Sequence, residues 1–292
     1  MNKKTIVWAV VFVWFALAFV NSKAEQQDEL SPQAYLPIIL GPPEFVCTTS
    51  SQNQYTSGVA FQHDNDNPVR PAYDHADKNI ELRSYTPNTD PNLVRELIDY
   101  GSGDSTQPPQ FATLFSPNRV PNFADFHQVY EWDWEPSPVP GTRTDPITGP
   151  PVTAVSFSLF PGTNLHTPMS GYDIGGNMEV IVIFADADTI TLHYTRQDSS
   201  AVGYTIHIDN ICTDPNLISL YNSLDTPEGP RYDFPSPNYD LPTLPAGQPF
   251  GTTSSHDMVI AISDTGSFQD PRSCNEWWQI RPGYSGTCPP AK

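Results

Sequence analysis

The sequence predicts a mainly β fold, an antiparallel sheet or sandwich with two short helices and long proline-rich loops. Two observations carry the prediction. From Cys47 onward, short runs rich in Val, Ile, Tyr, Phe and Thr alternate with Gly, Pro, Asn and Asp, which are strand and turn signals. Aromatic residues reach 12% and prolines number 32, while charged residues are only 16%, a balance that fits a folded, loop-rich domain rather than an acidic disordered chain.

The strongest strand patterns cover residues 152–160, 178–184, 189–196, 203–208 and 258–263. Helices are expected over 92–100, behind Asp90-Pro91, and over 215–224, behind Thr213 or Asp214 as N-cap. Proline-rich loops at 135–151 and 226–249 separate these runs. Neither an internal repeat nor a heptad pattern is present.

Ahead of the β region, Lys3 and Lys4 precede an apolar run over 6–20 and the small-residue site Ser22-Lys23-Ala24. This is the layout of a secretory signal peptide, residues 1–24, cleaved after Ala24. The run is shorter than the roughly 20 residues that span a bilayer, so membrane association is expected only through an uncleaved signal segment. Residues 25–45 read as a proline-containing linker and 46–292 as a single β-rich domain. Removal of Lys3, Lys4 and Lys23 takes the formal charge from −19 to −22, which argues against nucleic acid and anionic lipid as partners.

Cys47, Cys212, Cys274 and Cys288 lie far apart, and none has the Cys-x2-Cys spacing of a zinc knuckle. An even count in an exported chain reads as two disulfides, with three pairings open.

Chemistry-bearing residues are sparse. His193 in "TLHYT" and His207 in "TIHID" sit on the polar side of alternating strands, with Thr191 and Thr195 beside the first and Thr205 and Asp209 beside the second. A cleft-facing or solvent-facing placement on neighbouring strands is therefore expected. His63, in an acidic loop, and His127 and His166 read as surface or capping residues. Trp132 and Trp134 in "YEWDWE" share one face of an extended segment, and together with Trp277 they are candidates for stacking on sugar rings.

The stretches "YTIHIDNI", "LPAGQPFGTT" and "HDMVIAISDTGSFQDP" resemble the second half of the lysostaphin-type zinc endopeptidases. His207 matches the histidine of that family's Tyr-Ala-His-Leu strand. Gly247-Gln248-Pro249-Phe250-Gly251 matches its Gly-Gln-x-Ile-Gly turn, and Asp264-Thr265-Gly266 with Asp270-Pro271 its terminal hairpin. The resemblance implies a peptidase-like part over about 152–273. The family's His-x3-Asp ligand pair finds its nearest match in His75-Ala76-Asp77-Lys78-Asn79, which has an amide at the carboxylate position. Its His-x-His ligand strand finds Asp257 and Val259.

An amide and an aliphatic side chain cannot replace a carboxylate and an imidazole on zinc. The resemblance therefore implies a fold relative without cofactor that binds cell-wall peptide or glycan. The alternative is a zinc endopeptidase using His75, His207 and His256, with Asp77 or Asn79 completing the metal shell and His207 and His193 as the candidate catalytic side chains. A carbohydrate-binding β-sandwich using the tryptophans is a third reading.

Overall fold

The computed structural model describes residues 45–61, 72–99, 108–135, 141–195, 202–224 and 238–288. The expected signal peptide, residues 25–44 of the expected linker, His63 and residues 225–237 of the second proline-rich loop lie outside them. The strands are β1 (Thr56–Phe61), β2 (Tyr85–Pro87), β3 (Asn122–Asp133), β4 (Thr142–Pro146), β5 (Ala154–Ser158), β6 (Asn164–His166), β7 (Val180–Ala185), β8 (Thr189–Thr195), β9 (Gly203–Asp209), β10 (Ile211–Thr213), β11 (Asn238–Leu244), β12 (Pro249–Thr253), β13 (Asp257–Asp264) and β14 (Ser267–Phe268). The helices are α1 (Ile80–Arg83), α2 (Pro215–Leu224) and α3 (Cys274–Trp277).

The fold is mainly β, as the sequence predicts. One antiparallel sheet runs β1-β11-β7-β8-β9-β13-β5-β3-β2, with β14 on β13 and β4 on β3. A small second sheet, β10-β12-β6, flanks it. From Glu44 onward the chain clusters into one compact unit.

The central strands carry hydrophobic side chains at alternate positions, as period-2 geometry requires. Leu192, Tyr194, Ile206, Ile208, Ile260 and Ile262 face one way and build the main core with Phe157, Leu217 and Tyr221 of α2, and Trp277 and Trp278. Val129, Ala154, Val259 and Ala261 face the other way and build a smaller core with Ile80 of α1 and Phe268 of β14. The polar residues of β8 and β9 share this second face, so the sheet is covered on both sides.

Only the second of the two expected helices forms among the described residues. Residues 92–99 are not helical, because their backbone groups are committed to the segment after β14. Ile98 donates to Arg272 O, accepts from Cys274 N and forms a parallel bridge with Ser273; Val94 O accepts from the Arg272 guanidinium. Arg272 is buried against Asp270, with nitrogen and oxygen 2.6 Å apart and the side chains 2% and 0% exposed. Burial without water makes this pair costly to break by halves. Tertiary pairing here overrides helix propensity.

Cys47 bonds to Cys212 and Cys274 to Cys288, and no free cysteine is present among the described residues. Two disulfides place the protein in an oxidising environment. No described helix is long and apolar enough to cross a membrane.

The bridges close loops of very different length, 165 against 14 residues of separation. Chain-entropy reasoning gives about 3 kcal/mol for a loop near 15 residues and more than about 4 for one beyond 100. Denaturant unfolding should therefore show a larger loss for Cys47→Ser/Cys212→Ser than for Cys274→Ser/Cys288→Ser. The reverse order would mean that the long loop is already constrained in the unfolded chain.

Candidate functional site

The polar side of β8 and β9 is the place where histidine chemistry was expected. The strands pair with Thr191 opposite His207 and His193 opposite Thr205, so the two histidines are diagonal neighbours. On the other side of β9, Ala261 of β13 pairs with His207 and Val259 with Asp209. The juxtaposition of His193 and His207 follows from the strand pattern. Their environment does not.

Both histidines are 1% exposed. The expected cleft-facing placement is replaced by a covered one, because the segment around α1 lies over this face. Thr191 Oγ1 donates to Lys78 O at 2.6 Å. With its proton so committed, that oxygen accepts from His207 Nδ1 at 3.2 Å, which fixes the neutral Nδ1–H tautomer. His207 Nε2 then carries a bare lone pair with no partner. His193 Nδ1 lies 2.9 Å from Thr205 Oγ1.

Arg83, at the end of α1, reaches into the same layer. It donates to Tyr130 O at 3.1 Å and to Asp77 Oδ1 at 2.6 Å, and its guanidinium lies 5.3 Å above the Phe268 ring. Phe268 stacks in turn on His207, with centroids 5.8 Å apart. Burial, then the charge of Arg83, then His193 push the His207 pKa down to about 3. An imidazole in this position is a neutral core residue.

The other expected ligands are held in structural roles. His75 Nδ1 accepts from Asp77 N at 3.2 Å, and its ring packs 4.9 Å from that of Trp134. Asn79 caps α1, its Oδ1 accepting from Glu81 N at 3.0 Å. Asp77 is taken by Arg83. His256 precedes β13 and bonds Leu159 O through Nδ1 at 2.7 Å. Counted along β13 from Ala261, which is paired with His207, it lies about 17 Å away at roughly 3.4 Å per residue. The structure brings the 75–79 segment to β8 and leaves His256 at the other end of the sheet.

Three ligand atoms within joint reach occur, among the described residues, at Glu81, Asp186 and Asp188. Asp186 and Asp188 flank the β7–β8 turn, where Asp186 Oδ1 accepts from the backbone N–H of Asp188 and Thr189 at 3.1 and 2.8 Å. Turn formation accounts for their meeting. Burial pushes Asp186 up to about 6 against those two hydrogen bonds, with Asp188's charge adding to the rise.

The tryptophan candidates divide. Trp132 and Trp134 are partly exposed, 6.3 Å apart and edge to face. Trp277 is 2% exposed with its indole N–H on Asp270 O at 2.9 Å, so no ring face is left for a sugar. His127 corrects another expectation. It sits half-buried beside Tyr85, neither ring nitrogen has a partner, and burial lowers its pKa. His166 bonds Leu114 O at 3.3 Å. Sequence reading missed Arg83 altogether, since nothing in "NIELRSY" distinguishes an inward arginine from an exposed one.

Comparison with protein-family models, with curated proteins and with solved structures finds no match to this chain.

Because His207 takes up a proton below pH about 6.5 when unfolded and only near pH 3 when folded, stability is lost as pH falls through that window. The slope approaches about 1.4 kcal/mol per pH unit. His127 adds in the same direction, while the raised Asp186, Glu81 and Glu179 oppose. The His207→Asn variant keeps a donor for Thr191 and removes the titration. Chemical denaturation at pH 6.5 and 4.5 should show the wild type losing about 2 kcal/mol more than the variant across that interval. Equal losses would place His207 in contact with water.

Proposed function

We propose that this chain is an exported, non-catalytic binding protein that holds cell-wall peptide or glycan. One observation carries the non-catalytic part. The space beside His207, where a metal and its water would work in a peptidase of the resembled type, is filled by the Arg83–Asp77 pair and by Phe268 stacked on the imidazole. A cation held beside a candidate ligand opposes metal binding electrostatically. Val259, at the third-ligand place, packs with Ile80 and Ala261 in the second core.

The export part is supported by the signal-like N-terminus together with the two disulfides. The cell-wall ligand is supported by the resemblance over about 152–273. Trp132 and Trp134 supply partly exposed aromatic surface for it.

A zinc endopeptidase stands as the second reading, favoured by one observation: the 75–79 segment and β8 meet directly through Thr191 and Lys78. His75, Asp77 and His207 belong to that neighbourhood.

Two measurements on the purified mature protein test the reading together. Elemental analysis should find zinc well below one per chain, and the protein should co-sediment with cell-wall fractions, less so after Trp132→Ala/Trp134→Ala. One tightly bound zinc per chain, lost in His207→Ala, would establish the peptidase reading instead. Failure to co-sediment would remove the binding proposal.

A further inference from the structure

The structure carries a second feature, at the opposite end of the sheet from the buried histidines. A cleft of about 360 Å³ opens where β3 begins and β5 ends, lined by Arg119, Val120, Asn122, Ser158, Leu159 and Phe160 among others. Its size falls in the range of small-ligand sites.

Phe160 is 82% exposed, an unusual position for a large apolar side chain. It opens the turn Phe160-Pro161-Gly162-Thr163. Gly162 has φ 82°, and Thr163 N donates to Phe160 O at 3.1 Å, the arrangement of a type II turn with proline and glycine at its centre. Phe160 O also accepts from the hydroxyls of Thr163 at 2.6 Å and Thr253 at 2.8 Å. On the far side of Gly162, an added Cβ would lie 2.8 Å from the Phe45 ring. The turn is therefore fixed on several sides, and the exposed ring is presented by a rigid backbone.

Arg119 is the cationic member of the lining. Its guanidinium lies 4.7 Å above the Phe115 ring, and Phe115 is buried in the main core. Among the described residues no carboxylate pairs with it, and the lining holds no acid. Asp257, opposite Ser158 in the β-ladder, is the acid nearest by register. An unpaired arginine fork beside an apolar wall stands out on a chain of formal charge −19.

We infer that this cleft binds a C-terminal peptide carboxylate whose last side chain is apolar. The arginine fork matches a planar carboxylate in two parallel hydrogen bonds. A single cation balances a monoanion, whereas a phosphate dianion would leave excess negative charge on an already acidic protein. Val120, Leu159 and Phe160 receive the apolar side chain, and Asn122 and Ser158 offer an amide and a hydroxyl to the peptide group before it. The inference rests on the binding reading above and names the ligand class and its place.

The test is isothermal titration of the mature protein with acetyl-Ala-Leu bearing a free carboxylate and with the same dipeptide as its amide. The acid should bind with a dissociation constant below about 1 mM, and the amide at least about 10-fold more weakly, as loss of a charge-assisted hydrogen bond implies. Arg119→Gln and Phe160→Ala should each weaken the acid by a similar factor; Phe160 is exposed, so that variant leaves the core untouched. Equal binding of acid and amide, unchanged binding by folded Arg119→Gln, or no binding of the acid would each overturn the inference. Co-sedimentation of Arg119→Gln with cell-wall fractions, run in parallel, separates the outcomes. Retained co-sedimentation with no peptide binding by the wild type removes the cleft alone and leaves the wider binding reading standing.

Discussion

Arg83 is the side chain on which the second face of the sheet depends. It is 5% exposed, and it ties α1 to three places at once: Tyr130 of β3, Asp77 of the covering segment and the ring of Phe268. A buried cation is tolerated only when its donors are satisfied or neutralised. The Tyr130 carbonyl takes one terminal nitrogen and the Asp77 carboxylate neutralises the other, Phe268 lies over the guanidinium, and Nε alone is left without a partner among the described residues. Burial first, and then the charge of Arg83 in the same dry layer, keep His207 neutral. The hydrogen bonds around it follow: Thr191 gives its proton to the covering segment and takes one from the imidazole.

This dependence explains why a polar strand face ends up as core. Thr189, Thr191, His193, Thr195, Thr205 and His207 are all buried, which would be costly if their hydroxyls and ring nitrogens faced hydrocarbon unpaired. Neighbouring strands and the 72–84 segment provide partners for Thr191, His193, Thr205 and His207 Nδ1, and His207 Nε2 alone among these atoms is left bare. The sheet is thus sandwiched between an apolar core on one side and a mixed polar and aromatic core on the other. The surfaces proposed for binding, the Trp132–Trp134 stretch and the cleft beneath Phe160, lie away from this covered face.

Much of the fold was legible. Strands β5, β7, β8, β9 and β13 match the alternating runs to within two residues at most ends, because period-2 patterning survives where both faces are buried by different partners. The β13–β14 turn was also readable, with Thr265 and Gly266 both at positive φ as a two-residue hairpin requires. The helix expected over 92–100 failed for a nonlocal reason, since the Asp270–Arg272 pair that captures it lies some 170 residues away. The candidate site was legible as an adjacency but not as an environment. Alternation places His193 and His207 on one face, yet whether water or another segment covers that face depends on where residues 72–84 travel. The cleft was not read from the sequence, where residue 160 is only the end of a strand run and Arg119 stands 41 positions earlier.

The central claim, that the histidine face is a closed polar core rather than a metal centre, is tested most directly by long-range proton–nitrogen NMR of the imidazole rings during a pH titration, with and without one equivalent of zinc. The account predicts that His207 shows the Nδ1–H tautomer, keeps its shifts from pH 7 to below pH 4.5, and does not respond to zinc. An imidazole that titrates near pH 6.5, or whose nitrogen resonances move stoichiometrically with added zinc, would contradict it.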